Sequence, residues 1–233
     1  MTKTETTYQE ALDLLSNCFH YDNKTGSVYE EDLLDYSEFD YACGASKVVI
    51  ILDDCVLKTS YSGEVSECED EEDNREITEN FPDYANLEYW LYQAAAEVGL
   101  DKFFAKTSKV DDCVYEQPRV DASIVDLKYD KVELPWGYFH GRNKPRYYNE
   151  KDTDKIIKYC EKNGLHKLYF HIKFDAIRYF LAEYSIEELK KLNEFLIEYD
   201  INDISETNCG WIDGNLVIFD FCGFGSETEK ILS

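Results

Sequence analysis

Residues 39–60 read FDYACGASKVVIILDDCVLKTS, and their pattern decides the fold class. Three runs rich in Val, Ile and Leu or aromatic residues, Phe39 to Cys43, Lys47 to Leu52 and Cys55 to Ser60, are separated by Gly44 and by the turn pair Asp53-Asp54. Short apolar runs bounded by turn residues predict a strand, a glycine-containing turn and then a hairpin. Upstream, Tyr8, Leu12, Leu15 and Phe19 recur at helical spacing and predict an amphipathic helix over Thr7–Tyr21. Downstream, residues 61–83 hold ten acids and one base, Arg75, which predicts a solvated loop. A helix is expected over Tyr84–Val98, because Leu87, Trp90, Leu91, Ala94, Ala95 and Val98 form one apolar face and Gly99 is placed to end it. Two short strands, around Phe103–Ala105 and Cys113–Gln117, are expected before Pro118. Helix, three strands, helix and two strands make the first half α+β.

The second half opens on an aromatic and basic stretch with Trp136, Tyr138, Phe139, His140, Arg142, Lys144, Arg146, Tyr147 and Tyr148. Helical patterns follow at Asp152–Asn163, Phe174–Glu183 and Ser185–Tyr199, where Ser185 and Glu188 have capping-box spacing. Leu216 to Phe221, after the turn Asp213-Gly214-Asn215, reads as the second arm of a hairpin.

Composition narrows the function classes. The chain has 233 residues, 44% of them hydrophobic, enough for one sizeable core or two small lobes. Its net charge of -25 disfavours a nucleic-acid backbone or an anionic lipid surface as partner and favours a basic protein. Eight cysteines include no C-x-x-C pair, and several sit in apolar runs, as reduced thiols of a cytoplasmic protein would. The four histidines show no zinc-type spacing with cysteine, and no apolar run has the length of a membrane span.

Near the C-terminal end stands Asp203-Ile204-Ser205-Glu206-Thr207-Asn208, and twelve residues beyond Asn208 comes Asp220-Phe221-Cys222-Gly223. Asp-x-x-x-x-Asn, a short hairpin and Asp-Phe-x-Gly together resemble the catalytic loop and metal-binding motif of the protein-kinase-like superfamily. Further matches are Lys58 at the end of Val56-Leu57-Lys58, Glu88 (or Glu97) in the following helix, Gly44-Ala45-Ser46, and Tyr115-Glu116-Gln117-Pro118.

The resemblance implies a two-lobed kinase-like α+β fold. Residues 1–118 would form a sheet-plus-helix lobe, and 119–233 a reduced, mainly helical lobe ending just after Asp-Phe-x-Gly. It implies a phosphotransferase using ATP and Mg²⁺, in which Lys58 contacts phosphate, Glu88 pairs with Lys58, and Asp203 orients the acceptor hydroxyl. Asn208 and Asp220 would hold the metal, Gly44 and Ser46 would cover the phosphates, and Glu116 and Gln117 would lie in the inter-lobe segment that meets adenine. Ten residues follow Gly223, so substrate contacts are expected from residues 119–183, with 136–148 as the candidate surface.

Ile201-Asn202 stands where the family has His-Arg, and the covering loop has one glycine for the usual three. These departures suit an alternative, an inactive kinase-like protein of phage or mobile-element type. Its acidic surface would bind or inhibit a basic, for example nucleic-acid-binding, partner.

Overall fold

The computed structural model describes residues 3–22, 26–29, 38–43, 47–60, 63–67, 75–80, 83–121, 150–171, 174–201, 204 and 208–221. They form an α+β protein in two compact units, one of residues 1–92 and 106–119, the other of 93–105 and 120–233. The division differs from a single cut at 118 in that residues 93–105 go with the second unit.

The first unit is built on a five-stranded antiparallel sheet. Strands β3 (Asp40–Cys43), β4 (Lys47–Ile51) and β5 (Cys55–Ser60) follow one another, and β8 (Ser108–Lys109) and β9 (Tyr115–Pro118) complete the order β3-β4-β5-β9-β8. The Asp53-Asp54 turn is closed by Leu52 N–H donating to the Cys55 carbonyl at 2.9 Å, which pairs Val49 with Lys58 and Ile50 with Leu57. Strand β9 then pairs with β5, setting Lys58 against Tyr115 and Val56 against Gln117.

Helix α1 (Lys3–Cys18) lies on one face of this sheet, where Ala11 and Leu15 are buried in one cluster with Val48, Ile50, Leu57 and Val114. The helix starts four residues earlier and ends three residues earlier than its periodicity suggests. Phe19 leaves it for strand β1 (Phe19–Asp22), which pairs with β2 (Gly26–Tyr29), an exchange suited to the aromatic Phe-His-Tyr run.

The acidic segment 61–83, expected as an open loop, carries a two-stranded ladder between β6 (Gly63–Glu67) and β7 (Arg75–Asn80). The backbone register supplies hydrogen bonds that composition does not foresee. The segment's last residue, Asp83, starts the next helix: its Oδ1 accepts from Asn86 N–H at 3.0 Å.

Helix α2 (Tyr84–Glu97) ends at Gly99, whose φ of +73° lets Leu100 N–H reach back to the Ala95 carbonyl at 2.8 Å. The strand expected around Phe103–Ala105 is instead a 3₁₀ turn, Asp101–Phe103, followed by one bridge from Phe104 to Ile218. Phe103, Phe104 and Ala105 are all buried, and Phe104, extended in φ and ψ, leaves the 3₁₀ turn to make that bridge.

The second unit is mainly helical: α3 (Glu150–Lys162), α4 (His166–His171), α5 (Phe174–Glu183) and α6 (Ile186–Glu198) precede the hairpin of β10 (Cys209–Ile212) and β11 (Asn215–Ile218). Ser185 and Glu188 form the capping box that starts α6. Asn193, on α6 and buried, accepts from the N–H groups of Lys167 and Leu168 at 2.9 and 3.2 Å, tying the start of α4 to it. The hairpin turns through Asp213 and Gly214, with φ of 50° and 81°, the two left-handed positions of a tight type I′ turn. Among the described residues, no helix is long and apolar enough to cross a membrane, and Cys55, Cys113, Cys160 and Cys209 are free thiols.

Candidate functional site

The sheet face opposite α1 is charged. Alternation along β4 and β5 sends Val48, Ile50 and Leu57 into the α1 core and puts Lys47, Val49 and Lys58 on the other side. Helix α2 brings Glu88 to that side, in the buried stripe that also contains Tyr84, Leu87, Leu91 and Ala95. Glu88 is 0% exposed and receives two lysines: Lys58 Nζ lies 3.2 Å from Oε2, and Lys47 Nζ pairs with Oε1.

Lys47 and Lys58 are themselves 7% and 4% exposed. Gln117, one strand over on β9, donates Nε2 to Glu88 Oε2 at 3.4 Å and to Thr107 Oγ1 at 2.7 Å. The helix is held to the sheet beside this cluster. Tyr115 O–H donates to Asn86 Oδ1 at 2.9 Å, and Ser60 Oγ accepts from Ala85 N–H at 2.7 Å. Burial first, and then the Asp83 carboxylate, raise the Tyr115 phenol above its ordinary range, so it stays a donor.

Of the two glutamates weighed for Lys58, Glu88 meets it, and Glu97 is exposed in the last turn of α2. Glu116 and Gln117 lie inside strand β9, so their side chains take opposite faces. Gln117 joins Glu88. Glu116 accepts from Tyr8 O–H of α1 at 2.6 Å on the far face, where burial and then Glu116 push the Cys55 thiol up to about 11. The structure therefore joins Gln117, but not Glu116, to the lysine cluster.

In the second unit the hairpin sets the backbone of Asn208 opposite Phe219, the residue before Asp220. Cys209 pairs with Ile218, and beyond that pair the Asn208 carbonyl accepts from Phe219 N–H at 2.9 Å, one residue before Asp220. Phe221 is fully buried, its ring 4.8 Å from that of Phe104, and so anchors the segment that carries Asp220. On the other side of Asn208, buried Ile201 and Ile204 flank the position of Asp203. Asp203, Gly44, Ser46 and the stretch 136–148 lie outside the described residues.

Among the described residues, no group of three or more His, Cys, Asp or Glu side chains is placed to hold a metal by itself.

Sequence reasoning missed Lys47, Thr107 and the Gln117 side chain. Lys47 had a legible signal. It lies two residues from Val49, the partner of Lys58, so a two-residue turn at Asp53-Asp54 puts both lysines on one face. Thr107 had none, because its contact depends on how β8 and β9 fold back. No protein-family model matches the chain, and no curated protein or solved structure is significantly similar to it.

Proposed function

We propose that this chain has a two-lobed kinase-like fold and is an ATP- and Mg²⁺-dependent phosphotransferase. The supporting observation is the buried pair of Lys58, on the third strand of the sheet, with Glu88, on the helix that follows. A strand lysine held by a helix glutamate is the arrangement that fixes a cation against inner phosphates. In this reading Lys58 binds the phosphates, Glu88 positions it, and Gly44 and Ser46 cover the phosphate chain. Asp203 orients the acceptor hydroxyl, and Asn208 and Asp220 hold Mg²⁺, which neutralises charge developing on the transferred group.

The cost of the arrangement supports function over stability. Buried ion pairs are often no more stabilising than apolar residues of similar volume, so three buried charges are a poor device for holding a sheet together. The test is calorimetric titration with Mg-ATP, with thermal melting beside it. Millimolar Mg-ATP is expected to raise the melting temperature, and Asp220→Ala to abolish the magnesium-dependent part of that rise. No heat and no rise with the wild-type chain overturns the proposal.

A second reading, an acidic interaction protein, draws on the β6–β7 ladder. There the backbone register pairs two glutamate positions, 64 and 79, within a segment of ten acids and one base. Binding of a lysine-rich peptide that survives Lys58→Met and Asp220→Ala, yet is lost when Glu64, Glu67, Glu76 and Glu79 become Gln, would favour it over catalysis.

A further inference from the structure

Among the described residues, Gln117 Oε1 is the buried side-chain oxygen or nitrogen with no hydrogen-bond partner. The residue is 1% exposed, and an acceptor left bare at that depth is costly unless something donates to it. Its orientation is set by its neighbours. Nε2 gives its protons to Thr107 Oγ1 at 2.7 Å and to Glu88 Oε2 at 3.4 Å. Turning the amide over would place Oε1 against the Glu88 carboxylate, oxygen to oxygen. Gln117 is therefore held as an acceptor.

We infer that Gln117 Oε1 receives an N–H from the ligand of this site and, for a nucleotide, selects a base bearing an exocyclic amine. This rests on the nucleotide reading above. The sheet register supplies the geometry. Val56 and Lys58 share a face of β5, two residues or roughly 7 Å apart, and Gln117 is the cross-strand partner of Val56. A ligand laid along β5 with its phosphates on Lys58 carries its base toward Val56 and Gln117.

The 6-amino group of adenine has the required donor, and a purine lacking that group leaves Oε1 bare again. Sites that hydrogen-bond a ligand N–H reject the analogue without it far more strongly than apolar pockets reject a lost methylene.

The experiment compares binding of Mg-ATP with that of the Mg²⁺ complex of purine riboside 5′-triphosphate, which differs by loss of the 6-amino group, using calorimetry. The wild-type chain is expected to bind ATP at least about tenfold more tightly. Gln117→Met, similar in volume and without the acceptor, should bind both within about twofold, chiefly through weaker ATP binding. Equal wild-type affinities overturn the inference while leaving the nucleotide reading standing, and need no variant to fold. Persistence of the ATP preference in Gln117→Met also overturns it and assigns Oε1 to a buried water. Binding of neither nucleotide overturns this inference and the proposed function together.

Discussion

The two faces of the five-stranded sheet are made by the same strands and differ in everything else. Against α1 the sheet presents Val48, Ile50, Leu57 and Val114, each 0% exposed, to Ala11 and Leu15. Against α2 it presents Lys47, Lys58 and Gln117 to Glu88, and Tyr115 to Asn86. The first face follows from the hydrophobic effect, which rewards burial of any well-packed apolar surface. The second buries charge, which is tolerated only with close and correctly placed partners. The contrast teaches that one face can be held by any close apolar packing, whereas the other depends on each polar group meeting its own partner.

The largest expected effect comes from breaking the charged face. Glu88→Ala leaves two buried ammonium groups without their shared carboxylate and should cost about 4 kcal/mol in urea unfolding. Replacing all three charges, as Lys47→Met, Glu88→Leu and Lys58→Met together, should restore most of that stability while abolishing the Mg-ATP response. A triple variant as unstable as Glu88→Ala would show that the triad is structural.

On the dry face, Leu57→Ala should cost about 3 kcal/mol by opening a cavity under α1, and leave nucleotide affinity within about twofold at temperatures where the protein is folded. A selective loss of affinity would mean that the faces are not separable.

The smallest effect concerns the polar contact at the edge of the dry face. Burial first, and then Glu116, raise the Tyr8 phenol above its ordinary range. Such a group contributes stability that is complete below its unfolded value near 10 and is lost as pH rises above it. Tyr8→Phe should cost about 1 kcal/mol at neutral pH, and the gap from wild type should narrow above about pH 10. Parallel stability curves through the alkaline range would contradict this.

Much of the architecture was legible because it is written in local periodicity. The helices over Tyr84–Glu97 and Phe174–Glu183, the capping box at Ser185 and the turn at Asp213-Gly214 follow from side chains within a few residues of one another. Where local signals were weak or conflicting, reading failed. Acid at residues 61–83 argued for a loop, but backbone pairing of β6 with β7 depends on register rather than composition. Phe103-Phe104-Ala105 looked like a strand because it is apolar, yet Phe103 closes the 3₁₀ turn begun at Asp101 and only Phe104 makes a bridge, to Ile218, among the described residues.

The site divided in the same way. Lys58 and Glu88 could be named from motif order, and their contact at 3.2 Å joins residues thirty positions apart. Glu116 and Gln117 looked equivalent as neighbours in one segment. Strand alternation gave one to Tyr8 and the other to Glu88.

The amino-acid sequence by itself determined the α+β class, the alternation that makes one sheet face apolar, and the residue types available for chemistry, because these depend on neighbours a few bonds away. Tertiary structure alone decided that Lys47 shares Glu88 with Lys58, that Gln117 is pinned as an acceptor by Thr107, and that the Asn208 carbonyl meets the residue before Asp220. Those contacts require β9 to insert beside β5, α2 to dock over the sheet, and β10 to fold back on β11. Such long-range pairings are set by the free energy of the whole packed chain rather than by any one stretch of it.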